Sequence, residues 1–591
     1  MHHKLKKFQI KSDPSGTELP EIRGRIRFLP IATYSTALFA VLVSLSMLRV
    51  LDFYTLNGDL GINMQAMWTN THGYLLFESS DYKRFGAMSI LEVNSHFLAM
   101  PFSYIYGLYP TPLTLFVVQD AAVSGSVIAL FFLANRIIGD ARYSFLLAVS
   151  YSSGAFLISA TMYDFHWLSF LPLFTFLFFY FMLDRRIVLS ILILILGSLT
   201  QQVFPFIASS VLLYLYAETR PRFTKNLKWL VDNNGIVYIL LAILSVAMYS
   251  LLLYTQRILV PQYLGNQSAV SLIDQRLHAE WFPADFSPGR SLYSVGIWLS
   301  AYSLVLFIPV LEKKHLLLTF AWMYETILVY PSYGTFGNQY GFVTMSVLAP
   351  SLALGIRSML RRGPEVSVKF LSLMSVLGFS GSAFLLGYGS IQVPRTALGL
   401  TTGIVLSLVT AILVSFILVR YFRRSLDPKK VLSRSVSLMV ISMIALNLVA
   451  SPLNPANDSG NGFSGYKLSY GIPTQAKYAG EIQGLIPGHN STVIASDNLF
   501  TLVANDPFAY SFYDHPSTPG QPAFFPYNST NPAKFVLVDS AQAQYIFSWV
   551  QALISNGTYG LELEILGNEY PGNISLYVLH YPSVPRVVNA D

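Results

Sequence analysis

Long apolar runs, each of a length that crosses a lipid bilayer, are the feature that most constrains this chain. About thirteen runs of ~20 residues begin between Ile31 and Val436, and a polar or charged break follows each one. The composition agrees, because 53% of the 591 residues are hydrophobic and only 12% are charged. The sequence therefore predicts an α-helical polytopic membrane protein with about thirteen transmembrane helices. One run, from Ile187 to Ala217, predicts two short spans or a bent hairpin, because it is broken by Thr200, Gln201, Gln202 and Pro205.

The basic residues indicate which side of the membrane each loop faces. Lys and Arg near the ends of spans are retained on the cytoplasmic side, and here they recur at the N-terminus and in every second loop. Pairs of this kind are Arg185 and Arg186, Lys313 and Lys314, and Arg423 and Arg424. We therefore expect a multi-pass protein of the cell membrane with a cytoplasmic N-terminus. The net charge of +7 is scattered over these turns, so it does not indicate a nucleic-acid partner.

Three segments follow from this topology. Residues 1–30 form a cytoplasmic segment, residues 31–451 form the transmembrane domain with an outer loop over 52–109, and residues 452–591 form an extracytoplasmic α/β domain. Strands are predicted in this last segment at Thr492 to Ser496, Lys534 to Asp539, Leu561 to Leu566 and Ile574 to His580, and a helix at Gln542 to Ile554. The chain has no cysteine, which excludes disulfides and Cys-ligated metals.

Asn-x-Ser/Thr tripeptides fall in segments that the charge rule places outside. They begin at Asn266, Asn457, Asn490, Asn528, Asn556 and Asn573. Such tripeptides also arise by chance in loops rich in Asn and Ser. They agree with the topology without establishing it.

Asp59 is the first candidate for a chemical role, because it lies between glycines in the outer loop after the first span. In Asn57-Gly58-Asp59-Leu60-Gly61 the glycines allow a sharp turn that presents the carboxylate. A helix cap or a turn aspartate is the structural alternative. The apolar stripe that follows predicts a helix lying in the membrane interface, and its members are Ile62, Met64, Met67, Trp68 and Leu75.

Other polar groups occur where the topology places them on the same side. In Tyr163-Asp164-Phe165-His166-Trp167 an acid and a histidine two residues apart could bind a divalent cation or a phosphate, or relay a proton. The alternative is an interfacial turn that simply faces water, and a lone loop histidine such as His96 is also more often structural. Acids inside spans are costly unless they face a cavity or a partner, and these are Asp120 and Glu325. Outer cations that could hold a lipid phosphate are Lys83, Arg84 and Arg395.

Taken together, these motifs resemble the domain-of-unknown-function family numbered 2079, polytopic prokaryotic membrane proteins similar in architecture to GT-C glycosyltransferases. The matching residues are Asp59-Leu60-Gly61, Gln65, Trp68, Gly73, His96-Phe97, Pro101, Gln119, Asp164-Phe165-His166, Ala495-Ser496-Asp497-Asn498 and Phe535 to Asp539. The resemblance covers nearly the whole chain. It implies a GT-C-like helical membrane domain followed by the outer α/β domain.

The resemblance also implies roles for particular residues. Asp59 would be the GT-C first-loop acid, acting as a general base or a metal-proximal carboxylate, with Asp164, His166 and His96 as further catalytic elements. Substrate contacts would come from Gln65, Trp68, Gln119, Gln201, Gln202, Tyr340 and Arg395. The chain departs from the family pattern at Thr200-Gln201-Gln202, where a Lys-Glu-Asp stretch is usual, and at Gln339-Tyr340, where a His-Tyr pair is usual. No cofactor is therefore assigned, and a divalent metal is left open.

The sequence favours a glycosyltransferase that moves a hexosyl or pentosyl group from a polyprenyl-phosphate carrier to an acceptor at the outer membrane face. The carrier is inferred because nucleotide sugars are cytoplasmic, whereas the candidate site is outside. The acceptor would be a surface glycan, a lipid or a protein, and membrane lipids surround the spans. No nucleotide-binding or hydrolase motif occurs in a suitable context. A non-catalytic membrane transporter or a surface-glycan scaffold with the same fold is the alternative.

Under the transferase hypothesis Asp59, His96, Asp164 and His166 should converge within ~10 Å.

Overall fold

Long apolar helices followed by a small mixed sheet make up the computed structural model of this chain. It describes residues 28–51, 53, 59–219, 235–266, 298–299, 301–324 and 339–361, scattered positions from 373 to 451, and 474–589 apart from 489–490, 512–524, 541–545, 547, 567–572 and 581–584. The helices are α1 (Phe28–Leu51), α2 (Asp59–Thr71), α3 (Ser79–Phe85), α4 (Ile90–Val93), α5 (Ala99–Leu108), α6 (Pro112–Ile138), α7 (Ala141–Ser152), α8 (Ala155–Thr161), α9 (Leu171–Leu183), α10 (Ile187–Thr200), α11 (Phe204–Thr219), α12 (Gly235–Leu264), α13 (His315–Met323), α14 (Gly341–Arg361), α15 (Ala479–Leu485) and α16 (Ser548–Ser555).

Several of these helices have the length and apolar composition of membrane spans. Within the described part of the chain, α1, α6, α12 and α14 qualify singly, and α7 with α8 qualifies as one span bent by 48°. Shorter apolar helices, α9 to α11, pack among them. The helical membrane-protein class is therefore confirmed. The number thirteen stays a prediction, because most of 362–473 lies outside the described residues.

Local sequence explains where the helices begin and end. Helix α6 has Pro112 in its first turn, where the missing N–H is harmless, and it ends at Gly139 with φ 77°, which glycine adopts without strain. Asp140 then caps α7 by accepting hydrogen bonds from the backbone N–H groups of Arg142 and Tyr143. The interrupted run becomes two short helices, since α10 ends at Thr200 and α11 begins beside Pro205.

One end of the helix bundle carries a group of ion pairs, which we call the basic end. The Glu218 carboxylate at the end of α11 accepts from Lys314 Nζ at 2.7 Å and from Arg357 Nη2 at 2.8 Å. Arg136 Nε lies 2.9 Å from Asp184 Oδ1, where α6 and α9 end. These groups come from five loops or helix ends that the charge rule assigns to the same side. The opposite end carries α2 to α5.

The prediction that α2 lies in the membrane interface is wrong. Met64 and Met67 of α2 are 2% and 1% exposed, and Trp68 is also buried, because this stripe packs in one core cluster with α5 and the C-terminal sheet. Among the described outer elements it is α5 that presents an apolar face, with Tyr104 69% and Leu108 85% exposed. The apolar residues do form one face of a helix, as predicted, but protein rather than lipid covers that face.

The C-terminal part forms a six-stranded sheet. Its strands are β1 (Val493–Ala495), β2 (Ala509–Ser511), β3 (Phe535–Asp539), β4 (Tyr559–Leu566), β5 (Ile574–Leu579) and β6 (Arg586–Asn589). Their order in the sheet is β2-β1-β3-β5-β4-β6. Strand β1 is parallel to β2 and β3, β5 is antiparallel to β3 and β4, and β6 is parallel to β4. The four predicted strands are present, and α16 ends just before Gly557, as the Asn-Gly signal indicated. Strands β2 and β6 were not predicted.

The sheet is joined to α2 by close packing and by hydrogen bonds. A Cβ atom on Gly61 would lie 2.5 Å from Cδ1 of Phe500, so only glycine allows this ring to rest against the first turn of α2. Gln65 Nε2 donates to the carbonyl oxygens of Asp506 at 2.6 Å and Ala509 at 3.0 Å. Tyr106 of α5 donates to Asn505 Oδ1 at 2.8 Å. The sheet therefore rests on the end of the bundle that is opposite the basic end.

Candidate functional site

The side chain of Asp164 caps the N-terminus of α2, the helix that begins at Asp59. The backbone N–H of Leu60 donates to Asp164 Oδ2 at 3.1 Å, and the backbone N–H of Phe165 donates to Oδ1 at 3.0 Å. Asp164 is fully buried in the turn between α8 and the 3-10 helix Trp167–Phe170. A carboxylate in this position satisfies a backbone donor that the first turn of a helix leaves open, and it also interacts favourably with the helix dipole. The capping function on α2 therefore belongs to Asp164.

Asp59 itself has a carboxylate that no described residue binds by a hydrogen bond. The residue is half-buried, so part of its surface stays open although protein surrounds it on most sides. Burial, together with the negative charge of Asp164, raises the pKa of Asp59 to about 8, against the opposing effect of Arg84. Asp81 and Asp497 add smaller repulsions. An acid that stays largely protonated near pH 7, and that is not used as a cap, has the properties of a proton-transfer group.

Arg49 balances the charge of Asp164 and was missed by the sequence analysis. It is 2% exposed in the last turn of α1, and its Nη2 donates to the carbonyl oxygen of Tyr163 at 2.9 Å. Burial raises the pKa of Asp164 to about 6, and the Arg49 guanidinium and two backbone donors limit the rise. The signal that could have found Arg49 was its position at the end of an apolar span, where a cation is costly without a partner.

The two histidines, of which His96 is buried and His166 half-buried, are neutral and have different tautomers. His96 Nδ1 lies 3.1 Å from the carbonyl oxygen of Thr200, which can only accept, so Nδ1 carries the proton and Nε2 is an acceptor. His166 Nδ1 accepts from the backbone N–H of Leu168 at 3.2 Å, so its proton is on Nε2. Burial lowers the pKa of His96 to about 4, and burial with the nearby His96 lowers the pKa of His166 to about 3. One histidine thus offers an acceptor and the other a donor.

Aromatic and amide contacts connect the histidines to α2. The His96 ring centroid lies 6.1 Å from that of His166 and 6.1 Å from that of Trp167. Trp167 Nε1 donates to Asn63 Oδ1 at 3.0 Å, and Asn63 Nδ2 donates to the carbonyl oxygen of Asp59 at 2.8 Å. The structure therefore brings Asp59, Asp164, His96 and His166 to the same end of the bundle. Their chemical roles remain predictions.

Gln65 and Gln119, predicted to contact substrate, have their amides occupied by backbone groups. Gln65 Oε1 accepts from the N–H of Ser79 at 2.8 Å, in addition to its two contacts with the sheet. Gln119 Oε1 accepts from the N–H of His166 at 2.8 Å, and its Nε2 donates to the carbonyl oxygen of Thr161 at 3.3 Å. Both side chains are completely buried. Each amide holds a loop of the site in position.

The other predicted substrate residues lie at varying distances from Asp59. Trp68 stacks on His72 with ring centroids 3.7 Å apart, and it lies about 14 Å further along α2 at 1.5 Å per residue. Gln202 accepts from Ser95 Oγ at 3.4 Å and thus lies beside the His96 loop, next to the buried Gln201. Tyr340 packs on the bundle core beside α14. Arg395 lies outside the described residues, as does the span acid Glu325.

A divalent metal does not fit the donors that the described residues supply. No three His, Asp or Glu side chains converge in the described ranges, and both oxygens of Asp164 already accept backbone hydrogen bonds. Among the predicted outer cations, Lys83 is buried and donates to the carbonyl oxygen of Ser511 at 2.9 Å, while Arg84 is exposed near Asp59. Asp120 in α6 accepts from Ser46 Oγ at 3.1 Å, which is the structural pairing expected of an acid inside a span.

The comparison with protein families identifies the chain. Residues 49–377 match the family model described as "Predicted membrane protein (DUF2079)", which is more than half of the sequence. The chain belongs to this family. The resemblance inferred from the Asp-Leu-Gly and Asp-Phe-His motifs is thereby confirmed. None of the curated proteins matches the chain.

Solved structures with a similar fold include ArnT from Cupriavidus metallidurans, a GT-C glycosyltransferase. ArnT bound to undecaprenyl phosphate aligns with a TM-score of 0.51 and 11% identity, covering 94% of this chain and 100% of that one. The apo form of the same enzyme aligns with a TM-score of 0.46 and 13% identity, covering 92% of this chain and 98% of that one. At this identity the first likeness establishes a similar fold, and nothing about activity.

Proposed function

We propose that this DUF2079 protein is an integral-membrane glycosyltransferase of the GT-C type. It would transfer a sugar from a polyprenyl-phosphate carrier to an acceptor hydroxyl at the outer membrane face. The fold shared with ArnT supports the enzyme class, and the undecaprenyl phosphate bound by that protein supports a carrier of this chemistry. Function still has to be argued from the site, because one fold hosts many activities.

One observation carries the proposal: Asp59 is a half-buried acid whose carboxylate does not cap its own helix. Asp164 accepts the hydrogen bond from Leu60 N–H at 3.1 Å, so the N-terminus of α2 does not need the Asp59 carboxylate. The pKa of Asp59 is raised to about 8, where a carboxylate is a stronger base than in water. A half-buried acid kept in this state is suited to accept a proton during a reaction.

In the proposed reaction Asp59 takes the proton from the acceptor hydroxyl. The hydroxyl oxygen attacks the anomeric carbon of the sugar at the same time. The bond from that carbon to the phosphate oxygen breaks, and the electron pair leaves with the polyprenyl phosphate. His166 offers its Nε2–H, and Arg84 is an exposed cation near Asp59, so both could stabilise the departing phosphate. No step requires a metal ion.

Other side chains would position these groups. Arg49, Gln65 and Gln119 hold the loops around Asp59 and His166 through backbone contacts. We assign Gln201, Gln202, Trp68, Tyr340 and Arg395 as candidate contacts for the sugar, the acceptor or the lipid phosphate. The charge rule supports an outward-facing site, a cytoplasmic N-terminus and an extracytoplasmic sheet. The six-stranded sheet supports residues 452–591 as a domain.

A reconstituted assay tests the proposal. The full-length protein would be placed in liposomes with polyprenyl-phosphate-linked sugars extracted from the source membranes and with an envelope extract as acceptor. Release of free polyprenyl phosphate would be measured by mass spectrometry. We expect Asp59→Asn to lower release by about a hundredfold to ten-thousandfold, the usual loss when a general base is removed.

Asp140→Asn is the matched control for this assay. It makes the same chemical change at the basic end, where Asn can still cap α7, so release should match wild type. Equal release by wild type and Asp59→Asn would contradict the assignment of Asp59. No release by the wild type with this pool of donors and acceptors would contradict the transferase proposal.

A further inference from the structure

The Asn-x-Ser/Thr tripeptides have no part in the proposed sugar transfer, and the structure divides their described asparagines into two kinds. Asn266 and Asn573 are held by contacts with the rest of the protein, whereas Asn528 and Asn556 lie in turns at the surface. Asn457 and Asn490 lie outside the described residues. The difference concerns the groups that a modifying enzyme must reach, which are the Asn carboxamide and the hydroxyl two residues later.

The two surface tripeptides have the same local geometry. Asn528 Oδ1 accepts from the backbone N–H of Thr530 at 2.9 Å and from its Oγ1 at 2.7 Å. Asn556 Oδ1 accepts from the backbone N–H of Thr558 at 3.1 Å and from its Oγ1 at 2.6 Å. Each turn therefore presents the carboxamide and the hydroxyl side by side. Neither Nδ2 donates a hydrogen bond to any residue that the structure describes.

Exposure makes these groups accessible. Asn556 and Gly557 are exposed, and Thr558 is half-buried. Asn528 is half-buried, but the next two residues, Ser529 and Thr530, are exposed. An enzyme that engages a short peptide from outside could therefore reach both turns without unfolding a strand.

The side chains of Asn266 and Asn573 are held by hydrogen bonds. Asn266 is 9% exposed, and its Nδ2 donates to the carbonyl oxygen of Gly86 at 2.8 Å and to Glu92 Oε1 at 3.2 Å. Asn573 Nδ2 donates to Glu564 Oε1 at 3.4 Å, and its hydroxyl residue, Ser575, is 7% exposed inside β5. Modification at these positions would require a buried hydrogen bond or a strand to open.

The two surface turns occupy related positions in the sheet. They precede β3 and β4, which run in the same direction because both are antiparallel to β5. Tyr559 Oη donates to the carbonyl oxygen of Ala533 at 2.7 Å, so both turns lie at one end of the sheet. The hydrogen bonds that α2, α3 and α5 donate to the C-terminal part are accepted by Asn505, Asp506, Ala509 and Ser511, in β2 and in the segment before it.

We propose that Asn528 and Asn556 are acceptor sites for covalent N-linked oligosaccharide. A bond would form between Asn Nδ2 and the anomeric carbon of the glycan, Nδ2 would lose a proton, and the lipid phosphate carrier would leave with the electron pair. The co-reactant is a lipid-phosphate-linked oligosaccharide, and a separate oligosaccharyltransferase catalyses the step. The inference depends on an outward-facing sheet. It does not depend on the activity of this chain.

Glycopeptide mass spectrometry of the full-length protein from its own cells tests the proposal. We expect glycan mass on the peptides containing Asn528 and Asn556, and none on those containing Asn266 and Asn573. Asn556→Gln and Thr558→Val should each remove the same single glycan, because Val keeps the shape of Thr without its hydroxyl. Asn528→Gln and Thr530→Val should do so at the other turn.

Two results would overturn this inference. One is recovery of Asn528 and Asn556 only as unmodified peptides, and the other is glycan on Asn266 or Asn573. Because the readout is peptide mass, loss of sugar-transfer activity by Asp59→Asn would leave it unchanged. Failure of the proposed function and failure of this inference are therefore distinguishable.

Discussion

The Asp164 carboxylate accepts a hydrogen bond from the backbone N–H of Leu60 at 3.1 Å, and this contact separates the tasks of the two acids in the site. Asp164 caps the helix on which Asp59 is the first residue. Asp59 is left with its carboxylate directed to no described donor. The same contact places a second negative charge close enough to raise the pKa of Asp59.

Replacement of Asp164 should affect both stability and pH dependence. Asp164→Ala removes the cap on α2 and should lower the free energy of unfolding by about 0.5–2 kcal/mol. Asp164→Asn keeps one acceptor and should destabilise less. Because the charge of Asp164 raises the pKa of Asp59, Asp164→Asn should move the acidic limb of the rate profile to lower pH. Thermal unfolding in detergent and rate profiles measure the two effects, and an unmoved limb would contradict this coupling.

The transfer rate of the wild-type protein should rise with pH up to about 8. A general base acts only when deprotonated, and the pKa of Asp59 is raised to about 8, so the rate should fall roughly tenfold per pH unit below that value. The histidines stay neutral across this range, since the pKa values of His96 and His166 are lowered to about 4 and 3. A limb near pH 4 instead of pH 8 would mean that Asp59 is not the titrating base.

Gly61→Ala should loosen the joint between α2 and the sheet. The new Cβ would lie 2.5 Å from Phe500 Cδ1, and overpacking of this kind typically costs about 1–3 kcal/mol. Gly480→Ala in α15 is the matched control, because a Cβ there meets nothing within 4 Å and alanine favours a helix. Thermal unfolding and protease release of the sheet would report the change. Equal behaviour of the two variants would argue against this contact as a constraint.

Part of this arrangement could be predicted from the sequence, and part could not. Hydropathy and the Asp-Leu-Gly motif suffice to predict the helices and Asp59, because span length and glycine placement are local properties. The task of Asp164 depends on a contact with Leu60 that crosses 104 residues of chain, so no local pattern indicates it. Strands β2 and β6, of 3 and 4 residues, were missed, whereas β1, also of 3 residues, was predicted from the β-branched and apolar run Thr492 to Ser496. The stripe containing Met64 and Met67 suggested lipid contact, because sequence alone cannot show that a distant sheet covers it.

The absence of cysteine from the chain makes its topology directly measurable. Gln551→Cys lies on the exposed face of α16, and Ala141→Cys lies exposed at the basic end. In intact cells a membrane-impermeant maleimide should label Gln551→Cys but not Ala141→Cys, and it should label both after permeabilisation. The reverse pattern would place the sheet and the candidate site on the cytoplasmic side and would contradict a polyprenyl-linked donor used outside.

The most direct test of the central claim is the pool of lipid-linked sugars in cells that lack this gene and carry one complementing copy. With wild type or Asp140→Asn, the donor should be consumed and the surface glycans should be complete. With Asp59→Asn, at equal protein abundance in the membrane, one polyprenyl-phosphate sugar should accumulate and its sugar should be missing from the surface. Full restoration of both profiles by Asp59→Asn would contradict catalysis by Asp59 and would favour a non-catalytic scaffold or transporter.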